Sequence, residues 1–116
     1  MKEISKAEFV RRITSGKSLF LGISSVMETD GGVGKATQRR IEQHESHPRT
    51  CTAKSNNHLV FEGGSHLELK DVKPHTFYKC YETDNGILVV KQKWLDIDWN
   101  GNVDEVRYKH LYYKMM

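Results

Sequence analysis

The stretch His75–Trp94, HTFYKCYETDNGILVVKQKW, decides the fold. Asn85-Gly86 at its middle is a strong two-residue hairpin signal. A type I′ turn needs positive φ at both central positions, and Asn and Gly adopt that at least cost. With the turn there, Asp84 faces Ile87. Phe77, Lys79, Tyr81 and Thr83 then share a face with Trp94, Gln92, Val90 and Leu88. The opposite face carries Tyr78 across from Lys93, Cys80 across from Lys91, and Glu82 across from Val89. The first set is the more apolar, so Phe77, Tyr81, Val90 and Trp94 are expected to meet the core. A slip of one residue exchanges the two faces, which makes this a sharp expectation.

Upstream, Ser5 to Glu8 reads as a capping box, with Ser5 accepting from the Glu8 N–H and Glu8 returning a bond to Ser5. Ile4 and Phe9 form a hydrophobic staple around it. Phe9, Val10 and Ile13 make a helical apolar stripe, and Gly16 is a natural stop with Arg11, Arg12 and Lys17 near the negative end of the dipole. A helix is predicted over about residues 6–15. Strands are predicted at Ser18–Met27, Arg49–Ser55, His58–Glu62 and Ser65–Lys70, with a turn at Gly63-Gly64.

Downstream of Trp94 a further hairpin is expected. Centring its turn on Gly101-Asn102 sets Asp96 opposite Arg107, whereas centring it on Asn100-Gly101 sets Asp96 against Glu105. The like-charge pair argues for the first register. Tyr108, Tyr112 and Tyr113 favour strand over a C-terminal helix. The sum is an α+β fold, an N-terminal helix packed on a mostly antiparallel, twisted β-sheet. Residues 1–116 read as a single domain on size. The segment at about 28–49 is a polar insertion, expected to be mobile, with a short helix at Ala36–Gln43 anchored by Ile41.

Hydrophobic residues make up 37% of the chain, and no apolar run approaches bilayer length, so a water-soluble, cytoplasmic protein without a membrane partner is expected. Cys51 and Cys80 form no C-x-x-C pair and read as free thiols. The net charge of +3 is mildly basic, short of a dedicated phosphate-backbone binder.

Candidate chemistry is sparse. Gly31 to Thr37, GGVGKAT, looks like a phosphate loop, but Thr29 stands where its first glycine belongs and Ala36 follows Lys35. NTP hydrolysis is therefore not expected. Anion binding by Lys35, Arg39, Arg40 and Arg49 is the reading that survives. Asp96, Asp98, Asn100, Asn102 and Asp104 have the spacing of a calcium loop, but Arg107 occupies the twelfth position, where a bidentate Glu is needed. His44, His47 and Cys51 do not have a standard zinc spacing. No metal, cofactor or catalytic residue is assigned, and the chain is read as non-enzymatic. Tyr78, Lys91, Lys93, Tyr108, Lys109, Tyr112, Tyr113 and Lys114 interleave rings with cations, as single-strand binders and protein interfaces do.

The capped helix ending in Ser15-Gly16-Lys17, the Phe20-Leu21-Gly22 strand and the segment Ser55–Ser65, SNNHLVFEGGS, resemble in layout small accessory proteins encoded by phages and mobile elements. That resemblance implies stoichiometric binding of a host protein, as an inhibitor or anti-defence regulator, or sequestration of a nucleotide signal. The expected partner is therefore a host protein, engaged through Lys35, Arg39, Arg40, Arg49, Tyr78, Lys91 and Lys93. The alternative is a nucleic acid or nucleotide held by the basic 35–49 segment. A homodimer fits either reading.

Overall fold

The computed structural model describes residues 1–30, 35–43 and 47–116, with backbone alone for 27–30 and 35–40. In chain order the elements are β1 (Lys2–Ile4), α1 (Lys6–Ile13), β2 (Lys17–Asp30), β3 (Lys35–Gln43), β4 (Arg49–Ser55), β5 (His58–Phe61), β6 (His66–Glu68), β7 (Thr76–Glu82), β8 (Leu88–Ile97) and β9 (Val103–Met115). One short helix packs on a sheet-dominated, antiparallel α+β architecture. The strands run in the order β1-β7-β8-β9-β2-β4-β5-β6, and β3 pairs with β2 beside β4.

Ser5 caps α1 by accepting the Glu8 N–H at 3.0 Å. Glu8 does not return a bond to Ser5; its carboxylate takes Arg11 Nε at 2.8 Å instead. The helix stops before Gly16. Thr14 and Ser15 hydroxyls donate to the Val10 and Arg12 carbonyls, both at 2.6 Å, and so occupy acceptors at the helix end. Phe9 and Ile13 are fully buried, and Ile4 packs against the same core. Asp71 ties the helix to the sheet, accepting from Lys6 Nζ at 3.0 Å and from the Tyr78 N–H at 2.8 Å.

The organising hairpin forms, but one residue out of the expected register. Tyr81 pairs with Val89, Cys80 with Val90 and Phe77 with Lys93. The reason is the turn. Among the described residues no residue other than glycine has positive φ, so Asn85 cannot take a type I′ position. Gly86 has φ +79°, its N–H donates to the Thr83 carbonyl at 2.9 Å, and the Thr83 N–H donates to Ile87 at 2.9 Å. This is a three-residue loop, a type I turn closed by a glycine bulge. The face assignment of β7 is therefore inverted. Tyr78 and Cys80 point to the core with Leu88 and Val90, while Phe77 and Tyr81 lie on the other face.

The last hairpin repeats the same turn. The Asp98 N–H donates to Asn102 at 2.9 Å, the Gly101 N–H donates to Asp98 at 3.0 Å, and Gly101 has φ +83°. Here too the expected register is corrected, since Asp96 pairs with Glu105. Arg107 makes the like-charge pair tolerable, with Nη2 2.9 Å from Glu105 and 3.4 Å from Asp96.

The short helix expected at Ala36–Gln43 is instead strand β3, paired along β2 from Gly22–Gln43 to Asp30–Lys35. On its other edge β2 pairs with β9, and a bulge between Phe20 and Gly22 keeps Phe20 and Ile23 on the core side. Gly22 has φ +147°, and a Cβ there would lie 2.3 Å from the Glu42 carbonyl oxygen, so only glycine lets β3 approach.

Strand β4 pairs with β2 at Lys17 and Ser18, then leads into β5 and β6, which lie over the inner face of the sheet. Cys51, Leu59, Phe61, Leu67 and Leu69 from this flap join Phe9, Ile13, Leu88, Val90, Leu111 and Tyr113 in one core.

Candidate functional site

Alternation along the strands gives the sheet two chemically different faces. The inner one is the core just described. The outer one is read from register. One cross-strand row contains Tyr81, Val89, Tyr112 and Gly22; the next contains Lys79, Lys91, His110 and Ser24; the third contains Phe77, Lys93, Tyr108 and Val26. Val89 is fully buried although it lies on this outer face, between the neighbouring Tyr81 and Tyr112.

The second row sets three basic side chains abreast. Lys79 lies 3.6 Å from Glu3. Among the described residues, Lys91 and Lys93 have no carboxylate within ion-pair range; their ammoniums sit over the Tyr108 ring instead, at 4.9 and 5.9 Å from its centroid. Burial and the nearby Lys91 charge hold His110 below the ordinary histidine pKa, and its ring lies 6.3 Å from that of Tyr112. Like charges directly opposite one another cost up to about 1 kcal/mol per pair, and an anion laid across the row removes that repulsion.

The sequence-based candidates are distributed as follows. Lys91 and Lys93 fall together on the outer face. Tyr78 does not join them; it packs against the core opposite Gln92. Its hydroxyl is pushed up by burial, with Glu68 and Asp71 adding to the shift. Lys109 and Tyr113 also face inward, so the interleaved series splits by parity. The side chains of Lys35, Arg39 and Arg40 lie outside the described residues, but the backbone register sets Arg39 opposite Val26, in the row of Tyr108 and Lys93. Arg49 lines a cleft on the inner side. Lys79 and His110 were missed, because finding them needs the true register of two hairpins.

Gly31 to Gly34 of the phosphate-loop-like stretch, and His44, lie outside the described residues. In the calcium-like stretch, Asp98 accepts the Asn100 and Asn102 N–H groups, both at 2.9 Å, and Asp96 contacts Arg107. The Asp98 carboxylate serves the turn and that of Asp96 an ion pair. Cys51 and Cys80 are buried free thiols, pushed up to about 11 and about 12 by burial, which keeps them protonated and poorly nucleophilic at neutral pH.

No protein-family model, curated protein or solved structure matches this chain. Among the described residues no helix is long and apolar enough to cross a membrane.

Proposed function

We propose that this chain is a non-enzymatic binding protein that holds a single-stranded nucleic acid across the outer face of its sheet. The observation carrying this reading is the gathering of Lys79, Lys91 and Lys93 on one face, beside Tyr108 and the His110 ring. Phosphates would neutralise the cations. Tyr81, Tyr112 and Phe77, on the same face, offer rings on which bases stack for about 1–3 kcal/mol each. The backbone register sets Arg39 opposite Val26, in the row of Lys93 and Tyr108.

Fluorescence anisotropy with a labelled oligothymidylate of about 15 nucleotides tests the reading. Binding should weaken steeply with salt. A Lys91→Gln/Lys93→Gln double variant should bind about tenfold more weakly, with a salt slope shallower by about 0.7 per lysine removed. Binding untouched by the double variant, or none at low salt, would refute it.

A second reading keeps the same face for a host protein, as an inhibitor or regulator would use it. It is favoured by large apolar side chains left exposed near the ends of the sheet: Ile41 is 66% exposed and Trp99 is 93% exposed. Failure of every oligonucleotide would leave this reading standing.

A further inference from the structure

A cleft of about 500 Å³ opens on the inner side, in the angle where β4 leaves the main sheet. We propose that it is a second binding site, for a small molecule with a flat aromatic body and one anionic group, carboxylate or phosphate. This site is independent of the outer face.

The volume is in the ordinary range for a small-molecule pocket. Phe20, Phe61, Tyr113 and Leu111 line it with apolar surface. The Phe61 and Tyr113 rings are stacked at 5.5 Å, with Phe20 tilted against Tyr113 at 5.2 Å. Such a wall takes a planar body.

Two cations on different strands line the cleft. Lys109 comes from β9, turned inward by alternation with Tyr108 and His110, and among the described residues it has no ion-pair partner. Arg49 comes from β4 and donates from Nη1 to the Glu62 carbonyl at 3.0 Å, which leaves the rest of its donor fork for a ligand. The place of that guanidinium is built in. Gly63 has φ +95°, and a Cβ there would lie 2.6 Å from Arg49 Nη1.

The strongest sign is Ser18. It pairs with Arg49 on one edge of β2 and Met115 on the other, is 2% exposed, and lines the cleft. Its hydroxyl oxygen is sealed from solvent and has no hydrogen-bond partner among the described residues. A buried hydroxyl left unsatisfied destabilises the protein, and a polar ligand atom that displaces a lining side chain to reach it removes that cost. Among the described residues of the lining, Glu68 is the one carboxylate, outnumbered by the two cations.

Naphthyl phosphate, naphthoate and naphthamide present the same ring with two anionic heads and one neutral head. Titrated into the full chain and followed by NMR, the anions should shift Ser18, Arg49, Gly63 and Lys109. They should bind at least about tenfold more tightly than the amide. Arg49→Gln and Lys109→Gln should each weaken the anions about fivefold and leave the amide unchanged. Ser18→Ala should raise the Tm of the unliganded protein and lower anion affinity, a readout that does not depend on the cation variants folding well. Whichever anion binds more tightly identifies the natural head group. Equal affinity for all three compounds, shifts confined to other surfaces, or an Arg49→Gln protein that folds and binds the anions normally would each overturn the proposal.

Discussion

The two faces of the central strands are made from the same stretches of chain, residue by alternate residue, yet they do opposite things. Inward go Cys80, Leu88, Val90, Leu111 and Tyr113, covered by α1 and by the β4–β6 flap. Outward go Lys79, Lys91, Lys93, Tyr108 and His110, on the face turned away from that core. The inner face holds the fold together. The outer face carries repulsion that a monomer has no use for. On the proposed function, stability and recognition are separated by parity, and substitutions on the two faces should have separable effects.

The largest effect is expected inside. Phe9→Ala removes a fully buried ring that meets Tyr113 edge-on at 6.4 Å. It should cost about 3–5 kcal/mol in denaturant melts, while the fraction still folded binds oligonucleotide normally. Gly22→Ala should cost about 2–3 kcal/mol, because the new Cβ collides with β3 backbone. A Gly22→Ala protein as stable as the parent would show that β3 is not held against β2 as described.

On the outer face the effects should reverse in kind. Lys91→Gln/Lys93→Gln should change stability by no more than about 0.5 kcal/mol, since surface charges contribute little and here repel. A large loss of stability would mean that the outer face is structural and would erase the contrast.

The smallest expected effect is a pH dependence. His110 is held below the ordinary value in the folded chain, by burial first and Lys91 second. As pH falls through about 6.5, the unfolded chain takes up that proton before the folded one does. Stability should therefore decline on acidification until His110 itself titrates in the fold, and His110→Gln should flatten the decline. A bound polyanion favours the charged imidazole, so oligonucleotide binding should tighten over the same range. Unchanged profiles in His110→Gln would remove His110 from the account.

Most element types were legible in the sequence: the Ser5 cap, the strands around Gly63-Gly64, and strand over helix at 103–115 all correspond to the structure, whereas the segment Ala36–Gln43, read as helix, is strand. The registers were not legible, for two physical reasons. Asn-Gly suits a two-residue type I′ turn, but it suits equally a three-residue loop in which glycine alone takes positive φ. The cue lay two positions before each asparagine. Thr83 Oγ1 accepts the Ile87 N–H at 3.1 Å, and Asp98 accepts two loop N–H groups, so each hairpin has a side-chain acceptor that fixes the longer turn. The like-charge objection at Asp96 failed because Arg107 reaches both carboxylates.

Half of the outer site was visible as Lys91 and Lys93, while Lys79 and His110 join them only once the strands are correctly aligned. The cleft was out of reach, since Ser18, Arg49, Gly63 and Lys109 come together only where β4 departs from the sheet.

The most direct measurement is an amide chemical-shift map of the full chain with and without oligothymidylate. The account predicts perturbations at Lys79, Lys91, Lys93, Tyr108, His110 and Tyr112, and none at Phe9, Ile13 or Leu59. Perturbations gathered on α1 and the β4–β6 flap, with those six residues unmoved, would contradict it.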